Sequence, residues 1–424
     1  MKRFATYIFS AVFSLLVLTS VQEAYACTSV IISGRARADG RPLMWKNRDT
    51  DSLANSVRHY KGEKYSFISL VNTGCTEGES WIGVNTAGFA VMNTASYCLK
   101  DDDVPASSMD REGRVMYRAL EICATLEDFE HFLDTLSRPM GVEANFGCID
   151  AHGGAAWYET GNFSWHKIDV NDCPGGYMVV TNFSLSGPED RWKGVERYKT
   201  ASVIFAGMER SGSLASAGAL DIIDSLSRSY RHEVLGIDLI RDSAAFFAGT
   251  TGLAVDQDFI PRKSTSASVV ITGAREGDDP QSCVMWAALG YPPCSVAVPV
   301  PVSAIECVPE SLEGLCRDSS FCGLSSWLKK RYIFTSDVSS MSRYADLRPV
   351  IRGLGGALSL ISCSRDCEDR ISRLFLPIWS DYIKGRISVK EYISRYMGIS
   401  SCFFNLYLKS FKSYILEDDL PDMP

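Results

Sequence analysis

Cys27 stands out chemically because it follows directly on a protease cleavage pattern. Residues 24–26 read Ala-Tyr-Ala, the small-any-small pattern of signal peptidase sites, and they come after a basic start and an apolar stretch. Cleavage after Ala26 would leave Cys27 with a free α-amine beside its thiol. An α-amine with a pKa near ~7.7 can take the proton of a thiol with a pKa near ~8.5. This one residue would then hold both a nucleophile and its base.

The same position allows two other interpretations, and Cys27 alone does not decide among the three. A lipoprotein cysteine carries diacylglycerol on its thiol and often has a blocked amine, which excludes nucleophilic catalysis. Such cysteines usually have an aliphatic residue three positions before them, whereas this chain has Ala24 there and Tyr25 next. The third interpretation is an ordinary structural cysteine, because cysteine is among the residue types most often buried.

Alternating residues and turn signals predict the strands that would position Cys27. Residues 27–33, CTSVIIS, predict a strand bounded by Gly34. A turn at 38–40 leads to a predicted partner strand over 42–49, so that the two strands form a hairpin. The hairpin would return Asp49 to the start of the mature chain.

The rest of the pattern predicts runs of strands interrupted by helices, which indicates two sheets covered by helices. Apolar residues at helical spacing predict one helix over 113–136. Further strands are predicted over 65–71, over 81–96 with a turn at 86–88, over 144–160 with a turn at 152–154, and over 177–182, 267–273 and 295–302.

The composition changes after residue 302, where a segment rich in serine and cysteine precedes a helical tail. We therefore predict three parts: a signal peptide over 1–26, a main domain over 27–305 and a mainly helical C-terminal extension over 306–424. The extension has no chemical signature, and its run at 329–331, Lys-Lys-Arg, is interpreted as a solvated helix face. Loop disulfides at Cys316/Cys322 and Cys363/Cys367 are plausible in an exported protein.

Charge and residue usage exclude several classes of partner. A net charge of −8 argues against nucleic acid, whose phosphates attract clustered lysine and arginine. The cysteines form no CxxC pair and have no histidine near them in the C-terminal third, so we expect neither a metal nor a cofactor. No stretch after the signal reaches the ~20 apolar residues of a membrane span. We expect a periplasmic or extracellular protein with a small-molecule substrate. Whether it forms a homo-oligomer stays open.

Three segments of the sequence resemble motifs of one enzyme superfamily. Cys27-Thr28 followed by residues 46–49, Lys-Asn-Arg-Asp, resembles the choloylglycine hydrolase and penicillin V acylase superfamily, and equally its acyl-coenzyme A:6-aminopenicillanic acid acyltransferase branch. Residues 83–93, GVNTAGFAVMN, resemble a hairpin of that family whose last asparagine lies by the nucleophile. Residues 180–182, Val-Thr-Asn, resemble the strand end whose asparagine donates to the oxyanion.

This resemblance implies roles for four residues around Cys27. Asp49 would hydrogen-bond the α-amine of Cys27 and fix its orientation. Asn182 would donate to the negatively charged oxygen of the tetrahedral intermediate, and Asn93 would lie beside the nucleophile. Arg262 would correspond to the late active-site arginine of the family, although an arginine that opens a strand is also typical of a solvated sheet edge.

The cationic position of the family is filled differently in this chain. Lys46 occupies the place at which bile-salt hydrolases have arginine, and lysine lacks the planar two-pronged donor of a guanidinium. Arg48 is the alternative source of that donor. Arg197, in a Gly-x-x-Arg-Tyr pattern, is interpreted as packing at the start of a helix.

The resemblance also implies a fold and an activity. The fold is of the α+β class, the four-layer αββα fold of N-terminal-nucleophile (Ntn) hydrolases, with a helical C-terminal extension. The activity is a secreted cysteine amidohydrolase that cleaves a linear carboxamide through a thioester at Cys27, with N-acyl amino acids, N-acyl homoserine lactones, conjugated bile acids or penicillin-type amides as substrates. An acyltransferase with the same thioester stays open, as does a lipid-anchored binding lipoprotein modified at Cys27.

Overall fold

The computed structural model describes residues 26–75, 77–256, 258–314 and 320–415 of the chain. The predicted signal peptide therefore lies outside the described residues, apart from Ala26. Cys316 of the predicted disulfide pair and the end of the predicted extension lie outside them as well.

The described residues form strands in both halves of the chain and helices mainly in the second. The strands are β1 Thr28–Ile32, β2 Leu43–Asp49, β3 Asn55–Lys61, β4 Ser66–Asn72, β5 Ile82–Asn85, β6 Ala90–Ala95, β7 Ala144–Ile149, β8 Ala155–Thr160, β9 Trp165–Asp169, β10 Tyr177–Val180, β11 Arg231–His232, β12 Ile237–Asp238, β13 Leu253–Val255, β14 Thr265–Thr272, β15 Val284–Leu289, β16 Ala297–Pro301 and β17 Tyr344–Asp346. The α-helices are α1 Glu112–Ile122, α2 Leu126–Thr135, α3 Val195–Ser211, α4 Ala219–Ile222, α5 Ser243–Gly249, α6 Glu310–Glu313, α7 Phe321–Leu328, α8 Leu360–Ile383, α9 Val389–Ser400 and α10 Phe403–Ser410.

Two antiparallel sheets contain most of the strands in the described part of the chain. One has seven strands in sequential order from β3 to β9, and the other has six in the order β10-β1-β2-β14-β15-β16. In the six-stranded sheet the predicted hairpin is present, since Thr28 pairs with Asn47 and Ile32 with Leu43. The long connection from β2 to β14 places the late part of the chain beside Asp49.

The sheets lie face to face between two layers of helices. Ile31 of one sheet and Trp157 of the other both lie against Gly147, where a Cβ atom would come within 2.8 Å of Trp157 and 3.1 Å of Ile31. On the outer face of the seven-stranded sheet, α1 and α2 bury a separate core that includes Phe129 and Phe146. Helices α3, α4 and α8 cover the outer face of the six-stranded sheet. The predicted α+β class, with two sheets between helices and a helical C-terminal region, is confirmed.

The helix predicted over 113–136 is two helices, and local chemistry explains the break. The chain leaves helical geometry at Cys123 and restarts at Thr125. The side chain of Thr125 accepts from the backbone N–H of Asp128, and the Asp128 carboxylate accepts from the backbone N–H of Thr125. This reciprocal capping satisfies donors that a helix start leaves without partners, so a new helix begins inside one apolar pattern.

Three strands of the two large sheets were not predicted, each for a physical reason, and neither were the short strands β11, β12, β13 and β17 of the two-stranded sheets. Strands β3 and β9 are the two edges of the seven-stranded sheet and contain many polar residues. Edge strands tolerate such residues because one side faces no neighbouring strand. Strand β15 is a continuous apolar run, VMWAAL, which periodicity cannot distinguish from a helix segment.

The C-terminal helices pack on the six-stranded sheet and share its core. Phe375 of α8 contacts Trp286 of β15 edge to face at 5.6 Å. The carboxylate of Glu368 accepts two hydrogen bonds from Arg228, at 2.6 and 2.8 Å, and one from the backbone of Ala297 at 2.7 Å. The division into units at residue 305 stays a prediction.

The cysteines of the described chain are free thiols. Cys363 and Cys367, predicted as a loop disulfide, instead lie one turn apart on α8 and are both buried and unbridged. Within the described ranges, no helix is both long and apolar enough to cross a membrane.

Candidate active site

Cys27 lies immediately before β1, in the interior of the six-stranded sheet. Its neighbours there are β2 on one side and β10 on the other. Only 9% of the residue is exposed, and it lines a cavity of about 760 Å³ between the sheets. A thiol at this place can meet a small molecule that enters the cavity, although the residue is largely buried.

Strand β2 supplies side chains to both sides of its sheet because successive residues alternate in direction. Lys46 and Arg48 reach across to the seven-stranded sheet, where they contact Asn93 and Asn72 respectively. The side chains of Asn47 and Asp49 alternate with these two, and Asn47 donates to Asp49 at 3.1 Å. One strand therefore provides two cations and one carboxylate around the same cavity.

The ammonium of Lys46 is buried in the cavity wall between the sheets. It donates to the side-chain oxygen of Asn93 at 2.7 Å and to the backbone carbonyl of Trp81 at 2.9 Å. The pKa of Lys46 is lowered to about 8, chiefly by burial; Cys27 opposes this shift and the charge of Arg48 adds to it. Lys46, Asn93 and Cys27 all line the cavity, and the catalytic roles of Lys46 and Asn93 stay predictions.

Arg48 uses its guanidinium to join the two sheets. It donates to Asn72 at 2.9 Å and also to Asn55, and it lies over the ring of Trp81 at 4.6 Å. Burial lowers its pKa to about 10. These contacts assign to Arg48 the planar, two-pronged hydrogen bonding that lysine cannot supply.

Asp49 ends β2 and accepts hydrogen bonds from three side chains. Thr265 donates at 2.7 Å and Asn47 at 3.1 Å to one carboxylate oxygen, while Arg262 donates from Nε at 2.8 Å to the other. Thr265 faces Asp49 across a β-bulge, an irregularity of pairing that redirects side chains at the end of a strand. The carboxylate is fully buried and held from two directions.

Arg262 links Asp49 to the peptide bond that precedes Cys27. Its Nη2 atom donates to the backbone carbonyl of Ala26 at 2.9 Å. Burial disfavours the charge of Arg262, but its ion-pair partner Asp49 outweighs this effect and raises the pKa of Arg262 above its usual value. Arg262 is therefore not a solvated edge residue, and in the uncleaved chain it holds the carbonyl of the bond at which the signal peptide is predicted to end.

Asn182 lies behind the cavity wall. Its side-chain amide nitrogen donates to the carbonyl of Ala95 at 2.8 Å, and its oxygen accepts from Arg197 at 2.9 Å. Ala95 lines the cavity, whereas Asn182 is fully buried. The predicted oxyanion role of Asn182 stays a prediction.

Arg197 contacts Cys27, although its sequence pattern indicated only packing at the start of a helix. It lies in the first turn of α3, as predicted, but its Nη1 donates to the carbonyl of Cys27 at 2.6 Å and to the hydroxyl of Thr28 at 2.8 Å. Burial lowers its pKa to about 10, and the charge of Arg262 adds to this shift. The preceding Gly194 has a φ of +76° and lies so close to Arg197 that a Cβ atom would collide with the guanidinium. The Gly-x-x-Arg spacing was the available signal.

A carboxyl group faces the cavity from the start of α1. Glu112 accepts from the backbone N–H of Glu143 at 2.9 Å, and burial raises the pKa of Glu112 to about 7. Val104, Ala106 and Met109 add an apolar part to the same wall. The cavity thus presents charged groups of both signs and an apolar surface to a ligand.

Comparison with known proteins gives matches at the level of structure alone. No family model matches the chain, and no curated protein matches it. A Caenorhabditis elegans ortholog of N-acylethanolamine-hydrolyzing acid amidase is similar over 57% of this chain and 92% of its own, with 15% identity and a TM-score of 0.37. Penicillin V acylase from Agrobacterium tumefaciens is similar over 65% and 86%, with 14% identity and a TM-score of 0.34.

A variant of conjugated bile acid hydrolase from Clostridium perfringens is similar over 62% of this chain and 89% of its own, with 12% identity and a TM-score of 0.35. Identities and TM-scores this low assign no activity. The interpretation of the site rests instead on the contacts of Cys27, Asp49 and Arg262.

Proposed function

We propose that this protein is a cysteine amidohydrolase that cleaves a linear carboxamide after its signal peptide has been removed at Ala26-Cys27. One observation carries the proposal: Arg262 bridges the Asp49 carboxylate and the carbonyl of Ala26. The chain end created by cleavage at that bond would therefore form next to a buried carboxylate and inside a cavity. We propose further that the mature protein is exported.

The proposed reaction has two steps. The α-amine of Cys27 takes the thiol proton, and the thiolate attacks the amide carbon to give a tetrahedral intermediate. The C–N bond then breaks, the leaving amine takes the proton from the Cys27 ammonium, and a thioester remains on the sulfur. Water attacks the thioester, which releases the acid and restores the thiol.

The residues around Cys27 have separate roles in this scheme. Asp49 orients the α-amine, and it is held in turn by Thr265 and Arg262. Lys46 on the cavity wall and Asn182 behind it are the donors proposed to stabilise the oxygen that becomes negative. Loss of one such donor raises the barrier by about 3 kcal/mol.

The burial of Cys27 supports an enzyme over a lipid-anchored binding protein. A diacylglycerol on the thiol would have to extend from the cavity into a membrane, although only 9% of Cys27 is exposed. Arg197 also holds the Cys27 carbonyl in place. Catalysis, in contrast, needs an enclosed nucleophile within reach of a small molecule.

Assays on a panel of linear amides test the proposal. The mature protein should hydrolyse at least one of an N-acyl amino acid, an N-acyl homoserine lactone, a conjugated bile acid and a penicillin-type amide. Cys27→Ala should fold and lose turnover, whereas Cys75→Ala, which removes a half-buried thiol on a loop, should keep it. Equal turnover in the wild type and in Cys27→Ala would refute the proposal.

A further inference from the structure

The turn over residues 262–265 carries two of the side chains that hold Asp49. Arg262 and Thr265 both donate to the Asp49 carboxylate, and the hydroxyl of Thr265 also accepts from the backbone N–H of Arg262 at 2.9 Å. A shift of this turn would therefore move both donors together. Its backbone contacts show what keeps it in place.

Three groups outside the turn bind its backbone. The backbone N–H of Thr50 donates to the carbonyl of Ser264 at 2.9 Å, and Asp256 accepts from the backbone N–H of Lys263 at 2.8 Å. The ammonium of Lys329 donates to the carbonyls of Lys263 at 2.5 Å and Thr265 at 3.2 Å. Lys329 thus binds the backbone of the turn on both sides of Ser264.

Lys329 comes from the C-terminal region, which sequence analysis left without a chemical role. It begins a π-helical turn over Lys329–Ile333 that directly follows α7. It is buried, unlike the exposed Lys330, so the interpretation of residues 329–331 as a solvated face is wrong for Lys329. Its ammonium lies 5.0 Å from the centre of the Tyr291 ring, a cation–π contact.

A buried ammonium is expensive to desolvate unless hydrogen bonds compensate it. Burial lowers the pKa of Lys329 to about 8, with Cys294 and Asp256 opposing the shift. The two carbonyl acceptors on the turn are the polar compensation that the structure provides. A movement of the turn would therefore take these two acceptors away from the buried ammonium of Lys329.

We propose that Lys329 is a positioning residue of the Cys27 site, which holds the 262–265 turn so that Arg262 and Thr265 keep Asp49 in register with the amine of Cys27. This inference rests on the proposed function. The C-terminal region then contributes to the active site, because Lys329, which directly follows α7, binds the turn that holds the Asp49 carboxylate.

Lys329→Met tests the inference, with Lys330→Met as the matched control on the exposed side of the same segment. The first readout is the rate at which a small alkylating reagent labels Cys27 of the mature protein as a function of pH, which needs no substrate. Lys329→Met should shift this profile in the same direction as Asp49→Asn, and Lys330→Met should leave it unchanged. A folded Lys329→Met protein with the wild-type profile would overturn the inference.

The second readout is turnover per titrated active site. Lys329→Met should lower kcat about tenfold or more with little change in KM, because the displacement acts on orientation. In the Asp49→Asn background it should cause no further loss, since both changes affect one unit. Multiplied losses in the double variant would overturn the inference.

Lys329→Gln covers the case in which Lys329→Met does not fold, because an amide can still donate to a carbonyl. It should fold and give an intermediate kcat. Wild-type kcat in Lys329→Gln together with lowered thermal stability would show a purely structural role. A wild type that cleaves no amide but shows the Lys329-dependent labelling profile would contradict the proposed function and leave the positioning role supported.

Discussion

At the scale of single residues, Asp49 is the centre of the site because three side chains converge on it, one from its own strand and two from a turn far along the chain. Asn47 is its neighbour in β2, but Arg262 and Thr265 are 213 and 216 positions away along the chain. The motif at residues 46–49 was enough to predict a role for Asp49 beside Cys27. It could not show that the charge of Asp49 is compensated by Arg262, since that contact depends on the pairing of β2 with β14.

Asp49→Ala should lower both activity and stability. The change misplaces the amine of Cys27, for which a small displacement lowers kcat about 100-fold. It also leaves Arg262 buried without its ion-pair partner, which destabilises the fold by about 3–5 kcal/mol. Adding Arg262→Met removes that stranded charge, so urea unfolding should show partial recovery of stability while kcat stays low. Recovered activity in the double variant would contradict the orienting role of Asp49.

Glu112 should make stability depend on pH in a defined direction. Folding raises its pKa from 4.5 to about 7, so between these values the folded protein binds more protons than the unfolded chain. The contribution of Glu112 is fully present below pH 4.5 and is lost as the pH rises to about 7. In thermal melts, Glu112→Gln should therefore gain several degrees over the wild type above pH 7 and none near pH 4. A constant difference across this range would show that Glu112 does not titrate as described.

At the scale of elements, local signals predicted the β1–β2 hairpin, whereas the turn before α3 shows what such signals miss. The hairpin follows from alternation and a turn inside one short segment. The contact of Arg197 with the carbonyl of Cys27 joins residues 170 positions apart. It also needs Gly194 at a positive φ, and the Gly-x-x-Arg pattern marks that glycine without showing which contact requires it.

Gly194→Ala should damage the site, and Gly212→Ala at the other end of α3 is its matched control. The two glycines have φ values of +76° and +74°, so an alanine is strained by a similar ~1–2 kcal/mol at either position. Only at Gly194 would the new Cβ atom meet Arg197, because the space beside Gly212 is open. Thermal melts should show some loss in both variants, and kcat should fall only in Gly194→Ala. Equal kcat in the two would mean that Arg197 does not support Cys27.

At the scale of the whole molecule, the C-terminal helices belong to the core that supports the site. Glu368 of α8 pairs with Arg228 inside the protein, and both side chains are at most 4% exposed. The composition of the C-terminal region predicted the helices but not their contacts, because the partners of Glu368 lie 140 and 71 positions away. A chain that ends at residue 305 should therefore expose the apolar outer face of the six-stranded sheet and fail to fold.

Glu368→Ala should destabilise the protein far more than its neighbour Asp369→Ala. Removing Glu368 takes the nearer of two carboxylate partners from the buried Arg228, which keeps Asp224 at 3.5 Å, and destabilises the fold by up to about 3–5 kcal/mol. Asp369 forms an exposed pair with Arg373 at 3.4 Å, so its removal should change stability by only about 0.5 kcal/mol or less. Urea unfolding measures both, and similar losses would show that the Glu368 pair is screened by solvent.

The mass of the intact mature protein tests the central claim most directly. After export, the chain should begin at Cys27 with a free amine and an unmodified thiol, and a slowly released amide substrate should add the mass of one acyl group to that residue. A form that keeps a methionine ahead of Cys27 should gain no acyl group, because its amine is blocked. A diacylglyceryl adduct on Cys27, or acylation of the form with the retained methionine, would contradict the account.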